Sequence, residues 1–525
     1  MVAGYLKMTA MKILSECAFI SISDVTVALC AVLVILVAIK SRKRERKDLI
    51  PPPGPTPWPV IGNMLQMGNK PHISLTLMRE KYGDVFQVKL GSLLVVVLSG
   101  IDTIKQALVR QGESFAGRPD LYTFSAVADG TSMTFSEKYG EGWILHKKIC
   151  KTALRTFSQT EAKNSTCSCL LEEQICSEAL EVVDLFMEFS RKEGCFDPAV
   201  PIISSVANVV CALCFGKRYD YNDKEFLTLV QINNEVLKGF ATGNVADFFP
   251  VLRYLPTSPA IKTLVQYIKR MNSFMERNIE EHLNTFDKNC IRDITDALIA
   301  KCEGRHDEGK KALLSNKQIV HTVIDIFGAG FDTIIAGLQW SLLYLIQFPD
   351  TQAKIQQEID DKIGSCRLPR FEDKPLMPYT EAFIYEVFRH ASYVPFTIPV
   401  TICTTANTTL NGYFIPKDTC VFINQYQINH DVDLWNDPNS FDPERFLDES
   451  GQLNKDLIEK VMIFGLGKRR CVGDVFARFE MFIFLTTLLH RLKIENASGQ
   501  TLSLSADYGL TMKPKPYTVT VSQRL

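Results

Sequence analysis

The 525-residue sequence lacks a charge imbalance, an internal repeat and a cysteine framework. With 58 Lys and Arg against 59 Asp and Glu, the formal net charge is −1, so no bulk attraction draws the chain to nucleic acid. No interleaving of basic and aromatic residues marks a phosphate-tracking groove either. The fifteen cysteines are odd in number and scattered, as expected of reduced cytosolic thiols. Neither Cys211-x-x-Cys214 nor Cys167-x-Cys169 has the second pair that a structural zinc site needs. What the chain does have is apolar mass: 46% hydrophobic residues, enough for a large core and, by length alone, for several domains.

Long uninterrupted apolar runs are scarce, with one exception. Cys17 to Ile39 carries only Asp24 as a charge, and about 23 residues at ~1.5 Å each cover a ~30 Å hydrocarbon core. This predicts a transmembrane signal-anchor helix over 17–39 after a short lumenal segment, 1–16; no small-residue cleavage site follows it. Lys40, Arg42, Lys43, Arg44, Arg46 and Lys47 follow the span, against Lys7 and Lys12 before it, which places the main body in the cytosol. Residues 40–60 read as a basic and Pro-rich linker, stiffened by Pro51-Pro52-Pro53-Gly54-Pro55, and 61–525 as the globular domain.

Within that domain β signals are few. Asp84–Leu90 and Leu93–Leu98 are β-branched runs joined at Gly91-Ser92, a predicted hairpin, and Tyr413–Ile415 with Cys420–Ile423 suggest a second strand pair. The rest is mainly α. A long helix begins near Ser315, with Val320, Ile324, Phe327, Phe331, Ile334 and Leu338 on one face and Val323, Ile326 and Ile335 on others, so it is expected to be buried all round. Gly328-Ala329-Gly330-Phe331-Asp332-Thr333 breaks good helix practice, each glycine costing about 1 kcal/mol. A flat ligand lying on the helix would need such small residues, and Thr333 beside Asp332 offers a proton-delivery pair. A glycine kink with a capped polar pair is the alternative.

Near the C-terminus, Phe464-Gly465-Leu466-Gly467-Lys468-Arg469-Arg470-Cys471-Val472-Gly473 precedes an apolar helix, Val475 to Leu489. Glycines at 465, 467 and 473 are expected to take positive φ and bring the backbone close to a flat ligand. Lys468, Arg469, Arg470 and the helix N-terminus favour the Cys471 thiolate, a soft anionic ligand suited to a haem iron, with Phe464 shielding it from water. A single cysteine is most simply a small buried hydrophobe. The pattern Phe-x-x-Gly-x-Arg-x-Cys-x-Gly fixes five positions, which argues for the ligand.

Together the Cys471 loop and the Ala329–Thr333 segment resemble the cytochrome P-450 family. Glu386-Val387-Phe388-Arg389 matches its Glu-x-x-Arg helix, and Phe441-Asp442-Pro443-Glu444-Arg445-Phe446 the segment whose arginine completes a buried ion network. The resemblance runs from about Pro51 to the C-terminus and is strongest to the vertebrate microsomal family-1 group, the aryl hydrocarbon hydroxylases. The stretches that carry this are Gly117–Phe124, Phe327–Thr333, Val394–Pro399, and Asn424–His430 with Leu434-Trp435.

The resemblance implies a mainly α fold, the P-450 prism with small β-sheets, as one large catalytic domain behind the single N-terminal transmembrane helix. It implies haem b with Cys471 as axial ligand, and monooxygenation of lipophilic, planar aromatic xenobiotics or steroids. Electrons come from NADPH through NADPH-cytochrome P-450 reductase, with cytochrome b5 a further candidate, at the endoplasmic reticulum membrane. Thr333 and Asp332 assist proton delivery to dioxygen. Trp143, Lys147, Ala329, Phe464, Arg469 and Gly473 hold the cofactor, and Tyr122, Phe124, Val236, Asp325, Phe331, Phe396 and Ile398 line the substrate pocket. Glu386, Arg389 and Arg445 are structural.

The chain departs from the family in three places: Lys147 stands where relatives usually carry Arg, Val400 where they place a histidine near a propionate, and Val236 where they have a stacking phenylalanine. Lys147, Lys148, Lys151 and Arg155 share a helical face that an acidic reductase could meet. Phe248–Leu252 and Tyr254–Pro256 could dip into a membrane interface. Two other functions compete, a reductase-independent haem-thiolate isomerase or dehydratase, and a membrane-tethered haem-binding protein without turnover.

Overall fold

The computed structural model describes residues 49–128, 130–158, 171–241, 244–254, 259–303 and 313–524. The expected lumenal segment, the membrane anchor and most of the basic linker lie outside them. The chain divides at Pro51/Pro52. Residues from Pro52 on belong with the globular unit although 52–60 read as linker: the Gln87 N–H donates to the Pro53 carbonyl at 2.7 Å and Asn63 Nδ2 to the Pro55 and Thr56 carbonyls.

Counting helices of ten residues or more, the order is α1 Pro71–Tyr82, β1 Val85–Leu90, β2 Leu93–Leu98, α2 Glu141–Ser158, α3 Leu171–Glu193 and α4 Ala199–Phe215. Then come α5 Lys224–Ala241, α6 Pro259–Thr285, α7 Ile294–Glu303, α8 Asn316–Gln347, α9 Pro349–Lys362 and α10 Pro378–Ala391. After β3 Phe396–Cys403, β4 Thr408–Leu410, β5 Tyr413–Ile415 and β6 Cys420–Asn424, helix α11 Asp474–Arg491 leads into β7 Leu492–Asn496, and β8 Ala506–Asp507, β9 Lys513–Pro514 and β10 Val519–Gln523 end the chain.

Helix α8 is the axle of the main core. Ser315 starts it with a capping box, its hydroxyl accepting from the Gln318 N–H while the Gln318 side chain accepts from the Ser315 N–H, so the first turn's donors are satisfied. Its apolar residues point every way because α4, α6, α10 and α11 surround it. Among the described residues it alone is long and apolar enough to cross a membrane, and its burial inside the protein explains that composition.

The main sheet has the order β1-β2-β6-β3, with β1/β2 the expected hairpin. The second expected pair is wrong in its partners. Strand β5 pairs with β4 across Asn411-Gly412, both at positive φ, whereas β6 lies parallel to β2 and antiparallel to β3. Asn-Gly between short β-branched runs is the strongest local hairpin signal, and it outweighs proximity of β5 to β6.

Beneath this core sits an ion triad. Arg389 Nε and Nη2 each lie 2.7 Å from a Glu386 oxygen, and Arg445 Nε lies 3.1 Å from Oε1. The remaining Arg389 donors go to the carbonyls of Asn429, Pro438 and Ser440. Glu386 and Arg389 are fully buried. Such a group holds loops in register because removing one partner strands the others. We expect Glu386→Gln to cost about 3–5 kcal/mol of folding free energy, measured by denaturant titration. A loss under ~1 kcal/mol would show that the triad is not buried as described.

Candidate functional site

The Cys471 loop is built by two glycines. Gly465 and Gly467 have φ of +65° and +71°, and a Cβ on Gly467 would meet the Leu108 carbonyl oxygen at 2.0 Å. The expectation fails for Gly473, which at φ −97° is the N-cap of α11. The Cys471 N–H donates to the Phe464 carbonyl at 2.9 Å and closes the loop. The Phe464 ring is edge-on to Phe388, with the Arg478 guanidinium 5.6 Å from its centroid.

Cys471 opens on a cavity of about 250 Å³ whose floor is this loop and whose opposite wall is α8 at Gly328, Ala329, Gly330 and Thr333. Space at the two glycines is real: nothing stands within 4 Å of a Cβ built on Gly328, and only Val210 at 3.5 Å from one on Gly330. Although its accessible surface faces the cavity, the sulfur lies deep, and burial pushes its thiol up. The Gly473 N–H, Lys147 and Arg470 pull the other way without overcoming burial. Burial opposes the charge that the expected thiolate ligand carries, and a metal bond would offset that outright.

Three cations share one side of the cavity: Arg118, Lys147 and Arg469. Burial lowers each, Arg118 to about 10 and both Lys147 and Arg469 to about 8, with Arg469 further depressed by Arg118 and Lys147 by Arg469. Arg469 donates to the carbonyls of Ala116, Met133 and Ser136, and its guanidinium lies 4.0 Å from the Trp143 centroid. Trp143 donates to the Met133 carbonyl, and Lys147 Nζ to the Lys468 and Arg470 carbonyls at 2.6 and 2.7 Å. Lysine here laces α2 to the cysteine loop.

Asp325 is the carboxylate nearest in function to these cations, acting on both Arg118 and Arg469, and it is held by other groups. The Ser132 hydroxyl lies 2.8 Å from both its oxygens and the Thr134 N–H 3.0 Å from one. Asp332 accepts from the Thr511 hydroxyl at 2.5 Å and pairs with Lys513 at 2.7 Å without good hydrogen-bond alignment. The Thr333 hydroxyl donates to the Ala329 carbonyl at 2.7 Å.

Of the residues named from sequence, Cys471, Trp143, Lys147, Ala329, Phe464, Arg469, Gly473, Asp332, Thr333 and Asp325 all border the cavity. Tyr122, Phe124, Val236, Phe331 and Phe396 do not. Phe331 is fully buried and stacks on Phe327, Phe124 packs on Phe135, and Phe396 on Phe422. In three cases a neighbour faces inward instead: Leu237 for Val236, Gly330 for Phe331, and Thr397 for Phe396. One residue turns a helix by about 100° and flips a strand's face, so a slip of one position exchanges core for cavity. The Ile398 side chain lies outside the described residues. Arg118, Gln425 and Thr511 were missed, whereas Thr397 lies within the expected lining stretch 396–398; Arg118 lay within the Gly117–Phe124 stretch and carried a charge beside Pro119.

The donor set fits a haem. A soft sulfur and the glycines of α8 line one cavity, and the buried Arg118 with the half-buried Lys147 and Arg469 gives it cations that suit a pair of propionates. Thr397 and Gln425 line the cavity, and the Thr397 hydroxyl and a Gln425 oxygen are buried without a partner.

Burial pushes Asp325 from 3.8 up to about 6, against the pull of the Thr134 and Ser132 donors. A raised carboxyl pKa means that the folded state holds the proton more tightly, so across that window stability falls as pH rises. Asp325→Asn should remove this slope, so its midpoint of unfolding gains on the wild type from pH 4 to 6. A constant difference would contradict the burial.

The chain matches the family model described as Cytochrome P450 over residues 52–521. It is 49% identical to Cytochrome P450 1A1 of Canis lupus familiaris over 496 residues, 94% of each chain. It is 48% identical to Cytochrome P450 1A1 of Opsanus tau over 509 residues, 96% of this chain and 97% of that one. Against Cytochrome P450 1A5 of Gallus gallus it is 48% identical over 499 residues, 94% of each. The chain therefore belongs to the cytochrome P450 family, as a family 1 monooxygenase whose haem iron takes a cysteine thiolate.

Proposed function

We propose that Cys471 is the thiolate ligand and that the protein oxygenates lipophilic, mainly planar aromatic compounds or steroids with electrons from NADPH-cytochrome P450 reductase. The observation that carries this is the cavity itself, which brings Cys471, the α8 glycines and Asp332-Thr333 to one space. When bound, haem supplies the redox chemistry that activates dioxygen. The protein supplies the rest. The Gly473 N–H tempers the sulfur's charge, and Phe464 with Arg478 closes its proximal side.

On the opposite wall, Thr333 hands a proton into the cavity when its hydroxyl leaves the Ala329 carbonyl. Asp332 backs it, and the partly exposed Lys513 joins Asp332 to solvent, a route by which protons are replaced. Val210, Leu213, Leu237 and Ile326 keep the space apolar and dry. Asp325 and the Thr134 segment set a polar edge for an oxygen-bearing ligand.

Two surfaces support partners. Lys148, Lys151 and Arg155 are exposed on α2, and Lys147 of the same helix bonds the Lys468 and Arg470 carbonyls, so a reductase bearing acidic groups would dock close to the cysteine loop. Trp58, Val60 and Leu65 are exposed apolar residues, as are Val245 and Val251. Gly91-Ser92 links the two groups, because the Gly91 N–H donates to the Ile61 carbonyl and the Ser92 N–H to that of Phe248. That patch suits a membrane interface, in keeping with an anchor at 17–39 and an endoplasmic reticulum location. A pair of acid and hydroxyl at the cavity favours oxygen activation over a peroxide-rearranging isomerase.

The test is NADPH-dependent product formation from planar hydrocarbons and steroids with purified reductase. Thr333→Ala should retain haem yet fall roughly 10- to 100-fold in product formed per NADPH consumed, with peroxide released instead. Unchanged coupling would remove Thr333 from proton delivery, and product from peroxides without reductase would favour the isomerase.

A further inference from the structure

The sulfur of Cys471 is set among cations. Lys147 and Arg470 act on it, and Arg478 stands over the ring of Phe464, whose carbonyl takes the Cys471 N–H. Helix α11 adds the positive end of its dipole, because it starts at Asp474 behind Gly473, an N-cap with no side chain to offer. Left to these groups alone, the sulfur would donate less electron density and an iron bound to it would be reduced more easily.

One carboxylate answers them. Asp474 Oδ1 accepts from the Val475 N–H at 2.9 Å, while Oδ2 lies 2.8 Å from Arg470 Nη2 and 3.7 Å from Arg478 Nη2. The Asp474 side chain is 16% exposed and that of Arg470 50%, so water screens the cation more than the anion it pairs with. After burial and the Gly473 N–H, the strongest influence on the Cys471 sulfur is accordingly Asp474, ahead of Lys147 and Arg470. Asp474 does not border the cavity, so its charge reaches a bound metal through the sulfur and its loop.

We propose that Asp474 sets the reduction potential of the haem iron through Cys471. Its carboxylate offsets Arg470, Arg478 and the α11 terminus, so the sulfur stays a strong donor and the iron is harder to reduce than the cations alone would leave it. Asp474 is then a positioning residue, which touches neither substrate nor cofactor and gives up no proton. This rests on the haem-thiolate reading of the cavity. The two fail separately: a wild type that takes up no haem sinks that reading, whereas a haem-loaded wild type leaves Asp474 to be judged by its variants.

The experiment is a redox titration of the full-length, haem-loaded protein, read by absorbance, with the C–O stretching frequency of the reduced carbon monoxide adduct as a second signal. Asp474→Asn keeps the shape and the acceptor for the Val475 N–H but drops the charge. At a fixed applied potential its ratio of ferrous to ferric iron should rise roughly tenfold, about 59 mV for one electron. The C–O stretch should move to higher frequency, because a sulfur that donates less leaves less density on the iron to share. Asp474→Glu restores the charge and should stay within roughly threefold of the wild type. Arg470→Gln removes a cation and should move both signals the other way, with the double variant falling between the two singles. A role confined to starting α11 would change folding stability without moving the potential according to the sign of the charge removed. Equal potentials for wild type and Asp474→Asn, shifts of one sign in Asp474→Asn and Arg470→Gln, or a Glu variant as displaced as the Asn variant would each overturn the proposal. If Asp474→Asn does not fold, Asp474→Ser, whose hydroxyl can also accept from the Val475 N–H, takes its place with the same expected rise, and a potential that does not fall in Arg470→Gln would overturn the proposal independently.

Discussion

Crowding of like charge is the constraint around which this protein is arranged. Arg118, Lys147 and Arg469 all line the cavity, each held below its ordinary pKa by desolvation, and Asp325, which acts on Arg118 and Arg469, is engaged by Ser132 and Thr134. Cations do not collect in low dielectric without an anion to meet. The propionates of a bound haem would meet that need. Arg469 also stitches residues 116, 133 and 136 to the cysteine loop, so one side chain both charges the cavity and fixes the loop.

The remaining architecture presents a sulfur and a helix with two glycines to one cavity. Glu386, Arg389 and Arg445 pin the carbonyls of Asn429, Pro438 and Ser440 beneath the loop, and Asn429 in turn bonds both the N–H and the carbonyl of Met462, two residues before Phe464. On the other face, α8 is fixed by the C-terminal strand segment: Trp340 donates to the Met512 carbonyl, and Thr511 and Lys513 hold Asp332. Each wall is braced by groups far away in sequence.

Much of this was legible because its signals are local. Ser315 with Gln318 announces the start of α8, Gly465 and Gly467 announce turns that no other residue makes cheaply, and five spaced positions single out Cys471. What escaped is set by facing. Whether Val236 or Leu237, or Phe396 or Thr397, turns inward depends on the rotation of an element against its neighbours, which no local pattern states. The partners of β6 escaped for the same reason, since pairing with β2 joins residues 95 and 420.

The measurement closest to the centre of this account is the absorbance of the reduced, carbon monoxide-bound protein. Thiolate donation from Cys471 predicts a main band far to the red of that given by a histidine-ligated haem, lost in Cys471→Ala while that variant stays folded. A wild type that remains colourless after haem supplementation, or a red-shifted band that survives Cys471→Ala, would contradict it.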